Sequence, residues 1–129
     1  MRIPSRILQQ IVGRPVDHFA GSGHKRALGR LTVGNSASLF VIRDNLLEDP
    51  YEVVLRDISA ETVGIETPRA MMPSALLVLR IWLSVSESLA IQCRVTRCTP
   101  VPEGGFVLAA EFLEFIDPET LTSRDNSIS

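Results

Sequence analysis

Ser88-Leu89-Ala90-Ile91-Gln92-Cys93-Arg94-Val95-Thr96 alternates large apolar with small or polar side chains without a break. A period of two residues belongs to a β-strand with one buried and one wet face, because successive side chains of an extended chain point to opposite sides. Upstream, Leu77, Leu79, Ile81 and Leu83 form a second inward set, opposed by Arg80 and Trp82. Further strand signals lie at Leu31–Val33, Ser38–Arg43, Tyr51–Asp57, Val63–Glu66 and Gly105–Leu113, joining those at Leu76–Leu83 and Ser88–Arg97. Turn-forming clusters divide them at Asp49-Pro50, Pro68 to Pro73, Ser84 to Ser88 and Pro100 to Gly105. Short antiparallel strands with frequent turns predict an all-β fold, a small barrel or sandwich, and a barrel leaves no sheet edge open.

The two ends read differently. In residues 1–23, Ile7, Leu8, Ile11 and Val12 make one apolar stripe on a short helix, stopped by Gly13 and Pro15, and Gly21-Ser22-Gly23 is a flexible joint. The expectation is an N-terminal arm (1–23), a barrel domain (24–121) and a disordered polar tail (122–129). Asp117-Pro118-Glu119 opens a short C-terminal helix, with Asp117 as N-cap and Pro118 in the first helical position.

A chain of 129 residues is long enough to bury roughly 65–70% of the surface its unfolded form exposes, so it needs no covalent staples. No apolar run approaches the ~18 residues of a membrane span, because Arg80, Glu87 and Arg94 interrupt the richest region. The N-terminus lacks a convincing export signal, since Gln9 and Gln10 break Ile7 to Val12. Cys93 and Cys98 occupy odd and even positions of one strand, which places them on opposite faces and unable to bridge. A reduced, cytoplasmic protein follows as the expectation. Only His18 and His24 are available to support a metal site, too few and too far from the cysteines, so no metal is expected.

Charge is segregated. Residues 1–30 carry Arg2, Arg6, Arg14, Lys25, Arg26 and Arg30 against Asp17 alone, whereas Thr99 onward carries six acids against Arg124. Within the basic segment, Arg26-Ala27-Leu28-Gly29-Arg30 runs straight into the first strand. The equally spaced Arg2 and Arg6 lead to nothing a sheet would hold. A second constellation, Asp57-Ile58-Ser59-Ala60-Glu61-Thr62, begins where an apolar strand ends, with Asp57 and Ser59 projecting to one side. By itself it also reads as a hydrogen-bonded turn between strands. Together the two offer guanidiniums, a carboxylate and a hydroxyl to one anionic ligand.

These segments resemble the two marks of the PilZ family, R-x-x-x-R before the first strand and [D/N]-x-S-x-x-G at a strand end. The resemblance runs from about His24 to Asp117 and includes Gly105-Phe106-Val107-Leu108-Ala109-Ala110-Glu111-Phe112, similar to the family's last core strand. It implies a six-stranded antiparallel β-barrel, here with a short N-terminal arm or helix and a short C-terminal helix. It also implies a receptor for the bacterial messenger cyclic diguanylate (cyclic di-GMP) that passes the signal to a protein partner. On this reading Arg26, Arg30, Asp57 and Ser59 bind the ligand, with Thr62 at the motif's last position and Lys25 adding phosphate attraction. The arginines offer forked contacts to phosphate or to guanine O6 and N7, and Asp57 accepts from guanine N–H groups. Ligand binding would order the arm and move residues 1–23. Thr62 departs from the pattern: glycine permits positive φ and close backbone approach, and a β-branched residue resists both.

That departure supports an alternative, a degenerate PilZ interaction module without ligand. A nucleic-acid-binding barrel lacks its requirements, because the chain has one Tyr, one Trp and an acidic C-terminal third. An enzyme is not expected: no His stands near a suitably spaced Ser or Cys, and no glycine-rich phosphate loop opens a helix. His24 reads as a solvated flank, and Trp82 as half-buried packing or a partner surface.

Overall fold

The computed structural model describes residues 1–13, 31–119 and 121. Helix α1 (Ser5–Val12) is followed by eight strands: β1 (Leu31–Thr32), β2 (Ser36–Arg43), β3 (Leu46–Leu47), β4 (Tyr51–Ile58), β5 (Thr62–Thr67), β6 (Leu76–Trp82), β7 (Ser88–Pro100) and β8 (Phe106–Ile116). The sheet order is β1-β4-β5-β8-β7-β6-β2-β3, and a further pairing of β4 with β2 closes six strands into an antiparallel barrel. Strand β4 is shared: its end pairs with β1 through Leu31 with Ile58 and Thr32 with Asp57, and its beginning with β2 from Ser36 with Val54 to Leu39 with Tyr51. Between them Leu55 N–H donates to Asn35 O (2.8 Å) and Val33 N–H to Arg56 O (3.1 Å), which carries the ladder across the gap.

The alternating residues fill the barrel as their period requires. Leu39, Leu55, Ile65, Leu79, Ile91 and Leu108 are fully buried, each contributing about 1.5–3 kcal/mol of transfer free energy. Helix α1 belongs to this core, since Ile3, Leu8 and Ile11 join the same cluster. Eight residues are too few for a stable isolated helix, so packing and end contacts hold it. Gly13, at φ 81°, closes it with N–H to Gln9 O (2.7 Å), and Asn35 Nδ2 donates to Ile11 O (3.0 Å). Ile3 N–H donates to Ala60 O (2.7 Å), and the Met1 ammonium to Phe112 O (3.2 Å).

Outside the barrel, Phe40, Val78 and Ala90 form a second buried cluster covered by Leu121. Asp117 Oδ1 accepts the Glu119 N–H (3.0 Å), as expected of a cap. Residue 120 and the tail 122–129 lie outside the described residues, and the C-terminal helix is not established.

Two expectations need correction. The chain makes an extra hairpin at β2–β3, turned by Asp44 and Asn45 at φ 56° and 65°, a left-handed pair that short polar residues tolerate. The cysteines do not face opposite ways. A register shift between Val95 and Arg97 inserts one residue into β7, so Cys98 packs against the core cluster to which the buried Cys93 belongs. Both are free thiols.

Candidate functional site

The D-x-S corner is built by an irregularity in β4. Val53 and Leu55 point inward, and unbroken alternation would bury Asp57 and expose Ile58. Instead the register with β5 shifts between Leu55 and Asp57. The bulge at Arg56 leaves Ile58 0% exposed and turns Asp57 to the outer face, as bulges beside functional sites commonly re-aim side chains. The spacing Val53, Leu55, Ile58 carried this signal in the sequence, and reading the segment as one apolar strand passed over it.

Asp57 then lies across its partner Gly64. A Cβ at Gly64 would sit 2.7 Å from Asp57 Oδ1 and 3.1 Å from Cγ, so glycine is required for close approach of the carboxylate. Gly64 is not among the residues at positive φ.

Ser59 organises the turn into β5. Its N–H donates to Thr62 O (2.8 Å), while its Oγ accepts from the N–H groups of Thr62 (3.0 Å) and Glu61 (3.3 Å). Ser59 Oγ is also hydrogen-bonded to Thr62 Oγ1 at 2.9 Å, with either hydroxyl able to donate. Thr62 is not at positive φ, so the backbone here does not demand the glycine that the motif carries. Its β-branched side chain adopts an ordinary strand conformation and returns a hydroxyl to the turn.

The structure therefore brings Asp57, Ser59 and Thr62 to one corner. Lys25, Arg26 and Arg30 lie outside the described residues. Leu31, covalently next to Arg30, pairs with Ile58, which stands between Asp57 and Ser59. Sequence reasoning did not find the contact between this turn and the N-terminal segment, the Ile3–Ala60 hydrogen bond, because a lone Ile before Pro4 has no periodicity to announce it. The Arg2–Glu61 pair beside it spans 3.7 Å with both side chains mostly exposed, and such pairs add little.

Elsewhere the chemistry is sparse. A groove of about 790 Å³ runs beside Val54, Arg56, Val101 and Phe106, but its rim carries Glu52, Glu66 and Glu103, a field that repels a dianion. Burial pushes the Cys93 thiol up to about 12, far from a reactive thiolate. Trp82 is 47% exposed, with the Arg80 guanidinium 4.6 Å from its ring centroid. No group of metal-ligating side chains occurs among the described residues, and no described helix is long and apolar enough to cross a membrane.

Comparison with known proteins bears on the barrel as a whole. No curated protein matches the chain. The solved structure of the Bacillus subtilis inhibitor of motility, MotI/DgrA, superposes with a TM-score of 0.53 at 13% identity, over 78% of this chain and 47% of that one. The match thus spans about half of that protein, and at this identity it carries the fold alone. A family model, described as the PilZ domain, matches residues 25–125. PilZ domains are receptor and adaptor modules rather than enzymes, known for cyclic diguanylate as a ligand. Because the matched stretch takes in every strand of the barrel and the corner at Asp57, the chain belongs to the PilZ domain family.

Proposed function

We propose that this chain is a non-catalytic cyclic diguanylate receptor, cytoplasmic, that couples the messenger to a protein partner. The observation that carries this reading is the bulge in β4, which turns Asp57 out onto Gly64 beside the strand that follows Arg30. A carboxylate so held accepts from the N1–H and N2–H donors of guanine, and Arg26 and Arg30 supply forked donors to phosphate or base. Lys25 adds positive charge to that arm. Coupling runs through the turn: Ala60 O holds Ile3, and Ile3 enters the core with α1. A swing of residues 1–23 as a whole would uncover Ile3, Leu8 and Ile11, so a smaller shift of this contact is the better signal path.

The alternative, a module that has lost the ligand, draws on Ser59. Its hydroxyl is engaged by its own turn and by Thr62 Oγ1, so a ligand contact there must displace Thr62. Titration calorimetry of the full chain with cyclic diguanylate decides between them. Binding is expected, weakened roughly tenfold or more in Arg30→Ala and Asp57→Ala, since one bidentate contact contributes ~1–3 kcal/mol. Absence of heat at micromolar concentrations in both the natural chain and Thr62→Gly overturns the receptor reading in favour of the module.

A further inference from the structure

A single row of residues crosses the outer face of four strands. Asp57 of β4 pairs with Gly64 of β5, Gly64 with Ala109 of β8, and Ala109 with Arg97 of β7. Residues paired across strands share a face, and that face is the outer one, because Leu108 and Ala110 on either side of Ala109 are buried. The two ends of the row are set by the same device. In β7 the register shifts between Val95 and Arg97; without the inserted residue, alternation from the buried Val95 would point Arg97 into the core. Two bulges in separate strands thus turn one carboxylate and one guanidinium outward onto a common line. Thr96 Oγ1 donates to Ala109 O (3.0 Å) and holds the second bulge.

Between these ends nothing larger than a methyl group rises from the sheet. Gly64 and Ala109 make a smooth floor, and Asp57 leans over the first of them. The row spans three strand spacings, ~14 Å between the Cα atoms of its ends. An extended arginine reaching back and an aspartate reaching forward leave room for one planar purine lying flat. Arg97 is exposed and, among the described residues, has no ion pair or side-chain hydrogen bond, whereas neighbouring Arg94 is held by Glu111 at 2.9 Å.

We infer that Arg97 is a specificity residue of the guanine site, gripping the O6 and N7 edge of a base whose N1–H and N2–H edge is held by Asp57. This rests on the cyclic diguanylate reading above and adds to it a residue outside both sequence motifs. Two adjoining edges of guanine carry opposite hydrogen-bonding character, donors at N1 and N2 on one and acceptors at O6 and N7 on the other. An acid and a long, forked base rising from one flat floor match that polarity for a base turned to present both edges, and adenine, with its N6 amino donor in place of O6, does not match it.

The test is calorimetric titration with cyclic diguanylate and with its analogue in which guanine N7 is replaced by carbon. The natural chain, Arg97→Ala, Arg97→Lys and, as a control for loss of surface charge, Arg43→Ala in the β2–β3 hairpin are compared, with thermal unfolding to verify the fold. Arg97→Ala is expected to weaken binding tenfold or more and to abolish the penalty for the N7-substituted analogue. Arg97→Lys should recover only part, since a point charge cannot fork. Arg43→Ala should stay within about threefold of the natural chain. If the natural chain binds and Arg97→Ala is within twofold of it, or keeps the N7 penalty, Arg97 does not read the base and the inference fails while the receptor reading stands. If the natural chain does not bind, both fall.

Discussion

Replacing Gly64 by alanine brings a methyl carbon to 2.7 Å from Asp57 Oδ1, where ordinary contact begins at 3.4 Å. The carboxylate must withdraw by about 0.7 Å, more than the ~0.5 Å width of the usual N–H···O distance window. A guanine hydrogen-bonded to Asp57 would then lose that contact, a loss of ~1–3 kcal/mol, or roughly tenfold to a hundredfold in affinity. Stability should hardly change. Alanine in a strand gains about 0.5–1 kcal/mol over glycine, and an off-rotamer aspartate loses a similar amount. The assay is titration with cyclic diguanylate alongside thermal unfolding, in natural and Asp57→Ala backgrounds. Affinity is expected to fall in the natural background and to be unaffected by Gly64→Ala once Asp57 is gone. Undiminished affinity in Gly64→Ala, or an equal loss in both backgrounds, would refute the claim that this glycine serves the carboxylate.

Two further outcomes follow from the core. The Cys93 thiol is raised from 9.0 to about 12 by burial, so between those values the unfolded chain has released a proton that the folded chain retains. Stability therefore falls with rising pH above 9, by about 1.4 kcal/mol per pH unit from this group, and Cys93→Ala should flatten that alkaline slope in urea unfolding; an unchanged slope contradicts it. Leu8→Ala removes a buried side chain where α1 meets the barrel and should lower unfolding free energy by about 2–5 kcal/mol; a change below 1 kcal/mol would mean that the helix is not part of the cooperative core.

The strands were legible because period-two alternation is a local property, and β6 and β7 announced themselves within a few residues of their ends. Strand β3 was not, since two leucines make no period and the Asp44-Asn45 turn lacks the glycine that usually marks such hairpins. Bulges were the main loss. At Arg56 and at Thr96 the extra residue inverts the facing of all that follows, and the sequence shows it only as a spacing of three among spacings of two. That single misreading put Cys98 on the wrong face and hid Arg97 as a partner of the row that ends at Asp57. The D-x-S corner was readable, because a strand-ending acid and a hydroxyl two residues later are constrained by the pleat. The engagement of Ser59 by Thr62 was not, because it depends on a side-chain rotamer. For Lys25, Arg26 and Arg30 the reading rests on the motif and on chain connectivity to β1.

Leu121 lies over Phe40, Val78 and Ala90, so the barrel is not a self-sufficient cylinder. A polypeptide cut after Ile116 would keep every ladder of the sheet yet bare a contiguous oily stave on its wall, bordered by Ile42 and Leu47. Surfaces of that kind recruit a second surface. The smallest well-behaved version of this domain is therefore defined by one leucine beyond the last strand, acting as a shutter on the outside of the wall.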